Sequence, residues 1–239
     1  MILPKTAMVM CAGFGKRMLP LTNTVPKPLI PVNGKPIVDY TIEQLRDFGV
    51  EKIIVNTHHL ADKIKNHFSE NADVIISDEK EILETGGGLI NALPMIGSDP
   101  IFVINGDVIF NDKGRSYLDI LYKSWNPSKM DVLFLLHKVS DAIGYDGAGN
   151  FNLSDDGELM QNDGYESHDY VYTGAMIINP DLLNGLKIEK LSIYRDIIRP
   201  KTICDDGVHK RVCGVVYDGQ WLHIGTVDGV KEAEKAINC

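Results

Sequence analysis

Apolar runs rich in β-branched residues alternate along the chain with amphipathic stretches. Residues 6–11 (TAMVMC), 52–56 (KIIVN), 73–77 (DVIIS), 101–106 (IFVING) and 131–139 (DVLFLLHKV) read as strands. Between them, residues 37–49, 60–68, 87–96 and 116–125 read as helices. Such alternation predicts βα units and a largely parallel sheet buried on both faces. In the first helix, Ile37, Tyr40, Ile42, Leu45 and Phe48 recur at helical spacing, and Gly49 closes the pattern as a C-cap. The second half changes character. Residues 144–164 are dense in Gly, Asp and Asn, and they precede a predicted strand at 170–179, helices near 181–186 and 192–199, and a strand near 211–217. That pattern predicts a sheet extension or lid, not an independent unit, and no repeat, linker or low-complexity tract interrupts the 239 residues. One domain over residues 1–239 is expected.

Composition narrows the class. With 44% hydrophobic and 24% charged residues the chain is of the ordinary globular kind. A net charge of −9 argues against a broad grip on nucleic acid or an anionic membrane, so any phosphate site must be local. Cys11, Cys204, Cys213 and Cys239 form no C-x-x-C pair, which favours reduced thiols over a bridge or a zinc site. No apolar run approaches the length of a membrane span, and the first residues lack the basic segment of a secretory leader. A cytoplasmic protein is expected.

Against that acidic total, the first 38 residues carry Lys5, Lys16, Arg17, Lys27 and Lys35 and no acid. Directly after the first strand come Ala12, Gly13, Phe14, Gly15, Lys16 and Arg17, where two glycines permit a sharp turn that brings N–H groups close to an anion. The loop is neither a Walker A sequence nor a dinucleotide fingerprint, since G-x-x-x-x-G-K-[ST] and the third glycine of G-x-G-x-x-G are absent. Pro20, Pro26, Pro28 and Pro31 follow, which predicts a long extended loop, and loops of that length in compact domains are usually functional. Lys27, between two prolines, sits on a backbone suited to holding an ammonium at a fixed point. The competing interpretation of this segment alone is a solvated basic loop.

Taken together, G-F-G-K-R-M (13–18), P-L-T (20–22), P-K-P-L-I-P-V (26–32), E-T-G-G-G (84–88), N-G-D (105–107) and W-L-H-I-G-T (221–226) resemble the sugar-1-phosphate nucleotidyltransferases. The resemblance implies an α/β fold with a Rossmann-like, mixed but mostly parallel central sheet flanked by helices, without the β-helix tail of some members. It also implies a nucleotide-binding half at about 1–110 and a sugar-binding half at about 111–239. The family reaction joins a nucleoside triphosphate to a sugar 1-phosphate and releases pyrophosphate. Within the family, the E-T-G-G-G form and the short chain point to UTP and an N-acetylated sugar 1-phosphate, N-acetylmuramic acid 1-phosphate first. Glucose 1-phosphate with dTTP and mannose 1-phosphate with GTP are the alternatives, and a nucleotide-sugar-binding regulatory module is the alternative of another class.

By this resemblance, Arg17, Lys27 and Asp107 are the catalytic residues, and Ala12, Gly13, Gly15, Lys16 and Arg17 hold the triphosphate. Glu79, Thr85, Gly86, Gly87 and Asn105 complete the nucleotide site, although Thr85 would equally serve as a helix N-cap. Gly149, Asn150, Thr173 and Gly174 fall where the family holds the sugar. Asp107 ends an apolar strand, where open α/β sheets collect their chemistry, and its hard oxygen suits Mg²⁺. Many relatives read W-x-D-x-G-T, with an Asp as second ligand, but here that position is His223, a softer and neutral donor. Three arrangements stay open: His223 in the metal site, Asp228 supplying the carboxylate, or Asp107 alone with substrate oxygens and water. Asp228 would also serve as a helix cap. His58 and His59 are expected to be packing residues. The partners implied are UTP and a sugar 1-phosphate, with no nucleic acid or membrane, and the chain is expected to be a monomer or homodimer.

Overall fold

The first strand, β1 (Thr6–Met10), is apolar on both faces because it lies inside a sheet covered on both sides. The computed structural model describes residues 3–112, 114–154, 157–160, 167–202 and 208–238. After β1 come the short β2 (Pro31–Val32) and β3 (Lys35–Pro36), then α1 (Ile37–Phe48), β4 (Lys52–Thr57), α2 (Ala61–His67) and β5 (Val74–Asp78). They are followed by α3 (Glu84–Ile96), β6 (Ile101–Asn105), β7 (Val108–Asn111), α4 (Tyr117–Ser124) and β8 (Val132–Lys138). The remainder comprises β9 (Asn152–Leu153), β10 (Glu158–Met160), β11 (Tyr170–Ile178), α5 (Arg199–Thr202), β12 (Val208–Val216), β13 (Gln220–His223) and α6 (Val227–Ile237).

Among the described residues nine strands form the central sheet in the order β5-β4-β1-β6-β11-β8-β12-β10-β9. Tracing the pairings outward from β1, seven strands point one way, and only β11 and β10 oppose them. The sheet is therefore mixed and mostly parallel, as expected. Its alternating side chains feed two cores. Ala7, Val9, Ile53, Val55 and Phe102 pack beneath α1 and α4, while Met8, Ile54 and Val103 pack beneath α3 and Ile193–Ile198. A third cluster joins Met18, Ile30, Val32 and Ile37 to Ile109, Leu222, Ile224 and Ala233, which ties the C-terminal elements to the loop after β1.

Helix α1 has the predicted bounds, and Gly49 ends it at φ +96° with its N–H on the carbonyls of Arg46 and Leu45. Other elements depart from expectation. The proline-rich loop is not extended: it folds into three 3₁₀ turns, Lys16–Met18, Leu21–Asn23 and Lys27–Leu29, whose i→i+3 hydrogen bonds spare the proline nitrogens. The helix expected near 181–186 is a single turn, Pro180–Leu183, and that near 192–199 is the π-helical Ile193–Ile198 running into α5. Part of 144–164 extends the sheet as β9 and β10, whereas residues 155–156 and 161–166 lie outside the described residues. Cys11 and Cys213 are free thiols, and Cys204 and Cys239 also fall outside that set. No helix among the described residues is long and apolar enough to cross a membrane.

Candidate active site

The chain leaves β1 at the carboxyl edge of the sheet and turns back over it. Cys11 N–H donates to Asn56 Oδ1 at 2.6 Å, and Gly106 N–H donates to Met10 O at 2.9 Å, so the ends of β1, β4 and β6 are pinned together. Gly15 has φ +60°, and a Cβ there would lie 2.8 Å from Thr22 Cγ2, so both the turn and its packing require glycine. Thr22, itself buried, donates its hydroxyl to Gly15 O at 3.0 Å. Phe14 rests on His58 and His59, whose rings are 5.5 and 5.4 Å away. These histidines bond to backbone carbonyls, His58 Nδ1 to Glu79 O and His59 Nε2 to Thr22 O, and so brace the loop. Among the described residues no group of three His, Cys, Asp or Glu side chains could hold a metal alone.

Lys27 emerges from its turn buried, at 7% exposure, and its Nζ reaches Asp107 Oδ2 at 2.5 Å. Asp107 stands between β6 and β7, and β7 pairs with β13 so that Val108 faces His223. That register brings His223 beside the carboxylate. Burial lowers the His223 pKa, and Lys27 and Arg17 lower it further against the opposite pull of Asp107 and Asp146. The imidazole is neutral at pH 7, and its Nε2 takes a long 3.5 Å contact from Arg17 Nη2. Gly225 leaves room for this pair: a Cβ would sit 2.7 Å from His223 Nε2 and 3.0 Å from Arg17 Nη1.

A second wall is built around Glu79. Its Oε1 accepts from Asn56 Nδ2 at 2.7 Å and its Oε2 from Leu83 N–H at 3.0 Å, while burial raises its pKa against the opposite pull of these two hydrogen bonds. Gly88 makes this possible, because a Cβ there would lie 2.7 Å from Glu79 Oε1. The expected N-cap role of Thr85 does not hold: α3 starts at Glu84, and Thr85 Oγ1 instead accepts from Ile193 N–H at 3.0 Å. The amides of Gly86 and Gly87, expected to face a nucleobase, donate to Leu191 O at 2.7 and 3.1 Å. A Cβ on Gly87 would stand 2.1 Å from Glu189 O. These two glycines therefore admit a strap, residues 189–193, against α3, and no local sequence signal announces a partner a hundred residues away.

These parts enclose a cleft of about 380 Å³, a volume suited to a small ligand. Of the expected residues, Ala12, Gly13, Gly15, Lys16, Arg17, Lys27, Glu79, Thr85, Asn105 and Asp107 line it. Asn56, Ile82, Glu84 and Gly225 line it as well and were not anticipated. Glu84 and Gly225 sit inside the E-T-G-G-G and W-L-H-I-G-T motifs, and Asn56 is a polar residue that ends an apolar strand, whereas nothing local marks Ile82. Cys11 is inert, since burial pushes its thiol pKa far up.

The expected sugar residues are not among those lining this cleft, although Gly174 adjoins Asn105, which does line it. Gly149 has φ +81° and fits against His168 O; Asn150 is exposed, with Oδ1 accepting from Tyr172 N–H at 2.9 Å. Thr173 is fully buried and donates its hydroxyl to Leu135 O at 2.9 Å. Gly174, at φ +88°, lets β11 pass 2.7 Å from Asn105 Nδ2, measured from where a Cβ would be. Asp228 is 84% exposed and pairs with Lys231 at 3.1 Å, outside the cleft, and Thr226 rather than Asp228 caps α6.

The profile described as Nucleotidyl transferase matches residues 6–238. Over 241 residues the chain is 35% identical to the N-acetylmuramate alpha-1-phosphate uridylyltransferase of Caulobacter vibrioides, spanning 98% of this chain and 97% of that protein. A protein of the same name from Neisseria meningitidis serogroup B is 29% identical over 95% of this chain and 96% of its own length. In fold, the chain is similar to the crystal structure of HddC from Yersinia pseudotuberculosis complexed with GMP-PN, with TM-score 0.77, 24% identity, and 97% and 99% of the two chains covered.

Proposed function

The chain belongs to the nucleotidyl transferase family, and from that premise we propose that it transfers UMP from UTP to an N-acetylated sugar 1-phosphate, with N-acetylmuramic acid 1-phosphate as the first candidate. The family membership makes it a sugar-1-phosphate nucleotidyltransferase; the names of the two relatives support the uridylyl and N-acetylmuramyl readings. The observation that carries the chemistry is the convergence of Arg17, the buried Lys27–Asp107 pair and a glycine loop in one cleft.

In this reaction an oxygen of the sugar phosphate attacks the α-phosphorus in line, and the bond to the departing pyrophosphate breaks. A phosphate monoester is mostly dianionic at pH 7, its second pKa being about 6, so the nucleophile needs no protein base. The protein's work is to neutralise and align anions. The turn at Ala12–Gly15 offers main-chain donors to the triphosphate. Arg17 stabilises charge on the pyrophosphate, and Lys27 offsets repulsion between the sugar phosphate and the α-phosphate. Lys16 adds positive charge at the rim. Asn56 and Asn105 offer neutral hydrogen bonds in the same cleft, and the pinned Glu79 shapes its second wall.

The donor set fits Mg²⁺ carried in with the substrate, since one carboxylate, Asp107, stands beside a neutral His223, and Mg²⁺ is commonly held by one or two carboxylates plus phosphate oxygens and water. When bound it supplies charge neutralisation across the phosphate oxygens. The proposal implies a cytoplasmic enzyme, where nucleoside triphosphates are made, re-using cell-wall sugars as a monomer or homodimer.

A pyrophosphate-release assay tests this reading, crossing UTP, dTTP, GTP, CTP and ATP against the 1-phosphates of N-acetylmuramic acid, N-acetylglucosamine, glucose and mannose. Dominant turnover of UTP with N-acetylmuramic acid 1-phosphate is expected. Another winning pair corrects the substrate and keeps the chemistry, whereas silence with nucleotide binding intact favours a regulatory module.

A further inference from the structure

Among the described residues four that are not glycine have positive φ: Asn33, Leu60, Glu84 and Arg211. Only Glu84, at φ +58°, lines the cleft. Asparagine tolerates this region, whereas a glutamate occupies it at a penalty of about a factor of ten in population. Strain of that kind persists only where the surroundings over-determine it, and it gathers at ligand clamps.

The surroundings of Glu84 are specific. On its N-terminal side, Leu83 N–H donates to Glu79 Oε2 at 3.0 Å and Leu83 O accepts from Leu191 N–H at 3.0 Å. On its C-terminal side, Thr85 Oγ1 takes Ile193 N–H. The Glu84 carboxylate faces two cations, Lys190 Nζ on the strap at 3.6 Å from Oε1 and Arg195 Nη2 on the adjoining turn Ile193–Ile198 at 3.4 Å from Oε2. Arg195 is itself oriented by Asp196, whose Oδ1 and Oδ2 accept from Nε and Nη2 at 3.0 and 2.9 Å. A lone exposed ion pair contributes little, but here two cations converge on one carboxylate.

We propose that Glu84 is a positioning residue for nucleotide binding: the pull of Lys190 and Arg195 on its carboxylate keeps its main chain left-handed, so that the Glu84–Thr85 backbone is presented to the cleft. The inference rests on the nucleotide reading above and adds to it a means of setting affinity from outside the cleft. Without the clamp, the right-handed form of residue 84 competes, and the binding-competent fraction falls.

Calorimetric titration of UTP with Mg²⁺ into the wild type, Glu84→Ala, Glu84→Gly and the double variant Lys190→Ala/Arg195→Ala tests it, with thermal melts run alongside. Glu84→Ala and the double variant are expected to raise Kd about fivefold, because each loses the clamp and keeps the strain. Glu84→Gly, which adopts positive φ freely, is expected within about twofold of the wild type. The double variant reads the clamp from exposed side chains even if Glu84→Ala fails to fold. Equal affinity across all four proteins overturns the inference. So does a Glu84→Gly as weak as Glu84→Ala, which would make the carboxylate itself the contact. A wild type without affinity for UTP sinks the nucleotide reading and this inference with it.

Discussion

Lys27 Nζ lies 2.5 Å from Asp107 Oδ2, closing an ion pair between residues 80 apart in the chain, with the lysine side chain 9% and the aspartate 29% exposed. The lysine is aimed by its 3₁₀ turn and the carboxylate by the junction of β6 and β7, so two loops far apart in the chain are tied together by this pair. Lys27→Ala and Asp107→Ala should each cut kcat/KM by about 10²-fold or more, the usual loss when a group facing transition-state charge is removed. Steady-state kinetics on both variants decides it; near-normal turnover removes that side chain from the reaction.

His223 stands where many relatives carry an aspartate, and burial keeps it neutral beside Arg17 and Asp107. His223→Asp would place a second hard oxygen near Asp107, and the Mg²⁺ concentration for half-maximal rate should fall. His223→Ala should lose activity. A metal titration of turnover reads both, and no change in either variant puts His223 outside the working site.

Glu79 gives a pH dependence with a definite sign. Its carboxyl is raised by burial, so between the unfolded value, about 4.3, and the raised native value the native state binds more protons than the unfolded one. Its contribution to stability is present in acid and is lost as pH climbs through that window. Urea unfolding of the wild type and Glu79→Gln from pH 4 to 8 should show the wild type losing ground as pH rises. A difference independent of pH contradicts this account.

Gly87 and Gly13 make a matched pair for packing. A Cβ at Gly87 meets backbone oxygen, which cannot swing aside, whereas at Gly13 nothing lies within 4 Å. Gly87→Ala should cost about 1–3 kcal/mol by overpacking, and Gly13→Ala should stay within about 0.5 kcal/mol. Denaturant midpoints would expose an error if the two variants proved alike.

What the sequence revealed followed the range of the forces involved. Periodicity placed α1 to the residue, because a helix buries a stripe that repeats locally and Gly49 ends it by its own backbone freedom. The loop from Gly13 to Lys27 and the segment from β6 to Asp107, which meet in the cleft, stood out in the sequence for the same reason: their residues are neighbours. The turns within that loop were missed because prolines at a turn start look the same as prolines in an extended chain. The partner of the Thr173 hydroxyl, Leu135 O, lies on another strand and left no mark near Thr173 in the sequence. The packing role of Gly86 and Gly87 was hidden in the same way, their partner being the strap at 189–193. Nothing local to residues 170–178 marks β11 as the strand that reverses direction between β6 and β8.

The pairing of β7 with β13 bears on when the cleft comes into being. During synthesis, the glycine loop, Lys27 and Asp107 emerge early, but Ile109 has no Leu222 to cover it, and Arg17 has neither His223 nor Gly225 beside it. A ribosome must add more than a hundred further residues before the last wall closes. Nascent chains stalled short of residue 220 would carry Arg17, Lys27 and Asp107 and still lack β13 and Gly225, which complete the cleft around them.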